Sequence, residues 1–327
     1  MLISELIHSY RTDPVSSYGS LRYRTRQHYD SLLKRIETDL GGTDVAAIKT
    51  RDFTLTYQAW QLRGTATSHA LVGMLRTICN FSNVYLEDEA CMRLSSKLHV
   101  MRFKMGKPRQ SHITAEMAVA LRQKAWDWGL YSIAQAQAFQ FDCTFRQRDV
   151  IGEWVPETEP GQSDVLDGNS FKWLRGIRWE EIDEQLILRH VTSKRQKEIE
   201  INLTLAPMVM AELRFDYLIV EPFKRERLPT SGPIIVSEAT GLPFNAWEFR
   251  RLWRGLARSC DIPDHIYNMD SRAGAITEAF SSGAAADAVR KSATHSDLST
   301  TNRYSRGDAE AIAEVMKARA ELRQKSA

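Results

Sequence analysis

The sequence predicts a mainly α-helical protein with a small antiparallel β-sheet, arranged as an N-terminal helical domain followed by a C-terminal α+β domain. Apolar residues recur at helical spacing along most of the chain. Over 171–205 that period gives way to short β-branched and apolar runs broken by polar turns. At 327 residues the chain is long for one domain and comfortable for two.

In the segment 20–40, Tyr29, Leu32, Leu33, Ile36 and Leu40 fall on one helical face, basic residues including Arg22, Arg24 and Arg26 flank it, and Gly41-Gly42 is a stop signal. Similar patterns run through 50–63 and 66–86, the second carrying Leu71, Leu75, Ile78, Phe81 and Tyr85. Residues 1–105 therefore read as a small helical bundle. In VMRFKMGKPRQSHIT, Arg102, Lys104, Lys107 and Arg109 surround Gly106 and Pro108, which neither a helix nor a strand passes undisturbed. Residues 106–112 read as a basic linker. Thr114 is placed to cap a helix starting at Ala115, and helical patterns cover 115–127 and 131–142 at the start of a second domain, 113–327. Within 171–205 the runs WLRGIRWEEID and QLILRHVTSKRQKEIEINLTL suggest one antiparallel sheet with SKRQK at a hairpin tip. From 206 onward the pattern is helical again, apart from the apolar run GPIIVS (232–237) and a Gly241-Leu242-Pro243 turn. A tail helix from about 308 would align Ile312, Val315, Met316 and Leu322.

A hydrophobic fraction of 43% with 26% charged residues excludes a disordered chain. MLISELIHSY has no basic leader region, and no stretch of about 18 apolar residues occurs, so a soluble cytoplasmic protein without membrane contact is expected. The four cysteines, Cys79, Cys91, Cys143 and Cys260, lie far apart and suggest neither a zinc site nor a disulfide framework. The net charge of +3 is unevenly placed: residues 1–110 hold 16 Lys and Arg against 10 Asp and Glu, the remainder 28 against 31. A basic module beside a near-neutral one suits the gripping of a polyanion. No P-loop or carboxylate metal box is present, and neither metal nor cofactor is expected.

Candidate functional residues gain weight only jointly, since any one of them is compatible with an ordinary surface or packing role. CTFRQRDVI (143–151) puts Arg146 at a turn between helices with Asp149 three residues on. TSKRQK (192–197) presents Lys194 and Lys197 on the hairpin, SRAGAITEAF opens a helix with Arg272 near its start, and THSDLSTTNRYSR holds His295 and Tyr304. Arg272 and His295 are 23 residues apart, and His295 and Tyr304 nine.

In order, residue type and spacing this set resembles the tyrosine recombinase (phage integrase) family. Its catalytic domain carries an Arg after a helix, a Lys on a hairpin, an H-x-x-R box, an L-G-H turn and a Tyr nine residues beyond. The resemblance covers about 112–306 by motif and extends by architecture to the N-terminal bundle, where the family keeps its core-DNA-binding domain. It implies cleavage and rejoining of DNA through a 3′-phosphotyrosyl bond at Tyr304, in integration or excision of a phage or other mobile element. Arg146 and Arg272 would clamp the phosphate, Lys194, with Lys197 as the near alternative, would protonate the leaving oxygen, and His295 would handle a proton or donate to a phosphate oxygen. Asp149 would orient one of these groups. The implied partners are double-stranded DNA, three further copies of the chain in a synaptic tetramer, and accessory DNA-bending or directionality proteins. Arg22, Arg24, Arg26, Arg102, Lys104, Lys107 and Arg109 are the candidate DNA-binding residues.

Two departures stand out. Met269 fills the first position of the H-x-x-R box, leaving His295, Asp270, water, the departing strand or His265 to take the tyrosine's proton, and the L-G-H turn reads Ala293-Thr294-His295. Met269 makes a second reading available, a recombinase-fold DNA-binding protein without full catalysis. A type IB topoisomerase-like nicking and relaxing enzyme is a third, with the same chemistry and a different outcome.

Overall fold

The computed structural model describes residues 1–103, 105–106, 109–216, 223–302 and 316. The chain divides into two compact units, Met1–Arg109 and Gln110–Ala327. The first is a bundle of α1 (Ile3–Thr12), α2 (Tyr23–Leu40), α3 (Thr50–Gln61), α4 (Thr65–Tyr85) and α5 (Glu89–Val100). The three helices expected over 20–40, 50–63 and 66–86 are α2, α3 and α4. α1 and α5 are additional. α1 buries Ile3, Leu6, Ile7 and Tyr10, and α5 buries Cys91, Leu94 and Leu98 behind an Asp88 cap that accepts from the Cys91 N–H at 2.8 Å. Leu33, Ile36, Phe53, Trp60, Leu71, Leu75 and Ile78 fill the interior, each aliphatic side chain contributing about 1.5–3 kcal/mol by its burial.

The second unit is built around α7 (Tyr131–Asp142), in which every residue from Ser132 to Phe141 is buried. A helix buried on all sides is a core element, and α7 is packed by α6 (Ala115–Asp127), α9 (Pro207–Asp216), α10 (Ala246–Ser259) and α11 (Ser271–Ser281). The short α8 (Gln147–Ile151) lies between α7 and the strands, and α12 (Ala286–Ser292) and α13 (Leu298–Asn302) follow α11.

The single sheet expected over 171–205 is two separate antiparallel pairs. β1 (Glu153–Pro156) pairs with β2 (Phe171–Leu174), and β3 (Ile187–Val191) pairs with β4 (Glu198–Asn202). β1 is only four residues long and ends in Pro156, and a long polar segment separates it from its partner, so no alternation announces it. The run 232–237 is no strand either: Pro233 makes an isolated bridge to Arg178, while Ile234 and Ile235 are core packing.

Two features fix where α11 begins. The Gln137 side chain accepts from the buried Trp253 indole at 3.0 Å and donates to the Ser271 hydroxyl at 3.0 Å. At Gly274 a Cβ would lie 1.8 Å from the Ile113 carbonyl oxygen, so only glycine lets the 110–113 segment cross α11 this closely.

Candidate active site

Arg146 and Arg272 come from different elements. Arg146 caps α8, following Thr144, which takes the left-handed backbone at φ 52°. Its backbone N–H donates to Asp149 Oδ2 at 3.2 Å, and its guanidinium Nη1 lies 3.9 Å from the same oxygen. Arg272 sits in the first turn of α11 and donates to the carbonyls of Thr144 and Ala293.

Thr294, buried and left-handed at φ 51°, lies between them. Its hydroxyl oxygen accepts from Arg146 Nη1 at 3.3 Å and from Arg272 Nη2 at 3.4 Å. Two cationic forks thus converge on one oxygen atom, the arrangement that holds an oxyanion.

The fully buried Asp149 extends this cluster to the hairpin. Its Oδ1 accepts from the Ser193 backbone N–H at 2.6 Å, one residue before Lys194, so a single carboxylate ties the Arg146 turn to the β3–β4 turn. The hairpin is closed by Thr192, whose N–H donates to the Lys197 carbonyl at 2.9 Å and whose hydroxyl accepts from the Lys197 N–H at 3.2 Å. Lys194 and Lys197 are exposed.

His295 is half-buried, with Nδ1 3.0 Å from the hydroxyl of the buried Thr301. Burial, followed by the positive charge of Arg272, Arg146 and Arg195, pushes its pKa down to about 4. The imidazole is therefore neutral near pH 7 and has the capacity to accept a proton.

Tyr304, the tail from about 308, Lys104 and Lys107 lie outside the described residues, apart from Met316 in the tail. Met269 is 57% exposed on a short 3-10 turn that leads into α11. The Asp270 carboxylate accepts from the Tyr267 N–H at 2.8 Å, closing that turn, and is thereby engaged locally. Arg102 and Arg109 are exposed. Arg22, Arg24 and Arg26 are half-buried, with Arg24 bonded to Gln27 at 2.8 Å and Arg26 folded back on the Leu21 carbonyl. Sequence reasoning missed Thr144, Ser193, Arg195, Thr294 and Thr301. For Thr294 a signal existed: it stands where the family's turn has glycine, a place for left-handed backbone. Among the described residues no group of three or more His, Cys, Asp or Glu is placed to hold a metal ion, and no helix is long and apolar enough to cross a membrane.

No family model and no curated protein sequence matches the chain. Solved structures do. A lambda integrase dimer bound to a COC′ core site superposes with a TM-score of 0.67 at 15% identity, over 94% of this chain and 97% of that one. The Tn1549 transposon integrase in complex with circular intermediate DNA gives a TM-score of 0.62 at 12% identity, over 93% and 95% of the two chains. The chain has the tyrosine recombinase fold. A lambda integrase tetramer bound to a Holliday junction is similar as well, with a TM-score of 0.66 at 14% identity, over 93% of this chain and 77% of that one. At such identities the likeness carries the fold and leaves the chemistry to the residues.

Proposed function

We propose that the protein is a site-specific DNA recombinase that breaks and rejoins DNA through a covalent 3′-phosphotyrosyl bond at Tyr304. The observation that supports this most directly is the convergence of Arg146 and Arg272 on one oxygen beside a neutral His295. A phosphodiester under attack spreads charge over its nonbridging oxygens, and two guanidinium forks aimed at one point supply that charge's counterpart without reorganising.

In this reading the Tyr304 oxygen attacks phosphorus, the bond to the 5′-oxygen breaks, and Lys194 or Lys197 on the hairpin protonates the departing oxygen. The phenol, with an ordinary pKa near 10, gives up its proton to His295 or to water under the field of the arginines. Rejoining reverses the step without ATP, because the phosphotyrosyl bond retains the energy of the broken one. The N-terminal unit, residues 1–105, would act as the core-binding domain with Arg22, Arg24, Arg26, Arg102 and Arg109 on phosphates, joined through the basic 106–112 linker. Four copies would assemble on synapsed DNA, with accessory DNA-bending proteins as further partners.

The test is incubation with nicked duplex DNA in EDTA, followed by denaturing electrophoresis. A protein–DNA band that is absent for Tyr304→Phe, with DNA binding kept within a few fold, is the expected result. Failure of the wild-type protein to form it on any duplex overturns the assignment.

A further inference from the structure

We propose that Thr294 is a positioning residue that sets the two arginines for phosphate, an inference that rests on the recombinase reading above. Two guanidinium groups so close repel one another, and nothing intrinsic to them favours a common aim. The Thr294 hydroxyl supplies one: a single acceptor at 3.3 Å from Arg146 Nη1 and 3.4 Å from Arg272 Nη2 takes one N–H from each fork. The same nitrogens have a second N–H: Arg146 Nη1 lies 3.9 Å from the Asp149 carboxylate and Arg272 Nη2 also donates to the Ala293 carbonyl, while the Thr144 carbonyl takes Arg272 Nη1.

Conformation gives an independent reason to single Thr294 out. At φ 51° a β-branched residue is strained, and glycine would occupy the position at no steric cost. Such strain persists where surrounding structure over-determines it, and it gathers at functional sites. Thr144 is a second β-branched residue in the same backbone region, at φ 52°, and its hydroxyl donates to the Ser292 carbonyl at 3.0 Å while its own carbonyl accepts from Arg272. Both strained turns therefore end on the same guanidinium. The hydroxyl of Thr294 is what a glycine at this turn would lack, and the buried side chain receives both forks through it.

Four versions of the full-length protein test this: wild type, Thr294→Ser, Thr294→Val and Thr294→Gly. Single-turnover covalent-adduct formation, DNA affinity and thermal midpoint are measured for each. Ser keeps the hydroxyl and is expected within about threefold of wild type. Val keeps the shape but not the acceptor, and is expected to cleave about 10- to 100-fold more slowly with affinity unchanged, the range for a clamp left about 1 Å loose. Gly is expected to slow cleavage similarly while raising the midpoint by about 2 °C or more, since the left-handed strain is relieved. Slower cleavage in a more stable protein is a result that a merely structural threonine does not give. Should Val fail to fold, the Ser and Gly pair decides. Wild-type cleavage by Val or Gly, or a loss in Ser as deep as in Val, overturns the proposal. Absence of adduct in the wild type itself overturns the recombinase reading instead.

Discussion

Replacing Asp149 by asparagine probes how the site is held together. The carboxylate is fully buried, and its two oxygens have separate duties: Oδ1 accepts from Ser193 N at 2.6 Å, Oδ2 from Arg146 N at 3.2 Å. Bonds to an ionised acceptor contribute roughly 1.5–3 kcal/mol each. Asparagine keeps one oxygen and gains an NH2, so whichever way it turns, a donor faces one of the two backbone N–H groups. A buried donor left unsatisfied costs about 1–3 kcal/mol, and the weakened remaining bond adds to this, while removal of a buried charge offsets part of the loss. A net destabilisation of about 3 kcal/mol is expected, equivalent to roughly 6–12 °C in Tm for a domain of this size. The damage should be local first. Hydrogen exchange at the Ser193 amide should quicken, and cleavage should fall about 10²-fold because the Arg146 turn and the Lys194 hairpin lose their common anchor. Chemical denaturation, amide exchange and single-turnover adduct formation measure these three effects. A variant within about 0.5 kcal/mol of wild type, the range of an ordinary surface substitution, with Ser193 protection unchanged, would show that the tether has no energetic consequence.

Arg272→Lys should be nearly as inactive as Arg272→Ala, each losing at least about 10²-fold in cleavage, because one ammonium cannot reach the Thr144 and Ala293 carbonyls and Thr294 together; near-normal single-turnover rates for the lysine variant would refute the fork geometry. His295 has a folded pKa depressed from 6.5 to about 4, so the unfolded chain binds more protons in that window. Its contribution to stability is fully present above about pH 6.5 and is lost as pH falls toward 4, and His295→Gln should flatten that part of the stability curve. Binding of a phosphate or of duplex DNA between the arginines should raise the His295 pKa, which proton NMR of the imidazole reads directly; a titration unmoved by DNA would place the phosphate elsewhere. DNA affinity should fall steeply with salt, and Arg24→Ala should reduce the slope of log K against log salt by about one if this side chain neutralises a phosphate.

How much of this was legible in the sequence follows from what sequence records well. Helices α2, α3, α4 and α6 repeat an apolar face over three turns or more, α7 is an uninterrupted run of buried positions, and each was expected within a few residues of where it lies. α1 has only ten residues, and α5, although as long as α3, buries only Cys91, Leu94, Ser95 and Leu98, a sparse apolar face. β1 has no periodicity, since its pairing with β2 is made across a long connection and a four-residue strand contains two repeats at most. The pair β3–β4 was easier to foresee because Leu188 precedes Arg189 in β3, and Ile199 and Ile201 alternate with exposed Glu198 and Glu200 in β4.

The candidate site divides along the same line. Arg146, Arg272 and His295 announce themselves by chemistry, because few side chains clamp phosphate or move protons near neutral pH, and the fold brings all three to the neighbourhood of Thr294. What aims them is silent in sequence. Arg272 is oriented by two backbone carbonyls, Asp149 grips a backbone N–H on a hairpin 44 residues away, and Thr294 acts through a conformation that threonine rarely adopts. Backbone groups have no letter of their own, so a contact made to them leaves no mark except where it constrains the residue that supplies it. Thr294 is such a mark: a β-branched residue at a turn that glycine would fill without strain. A local rule broken at a buried position between two cations is a stronger pointer to chemistry than agreement with a motif, because packing and propensity alone would have favoured the smaller residue.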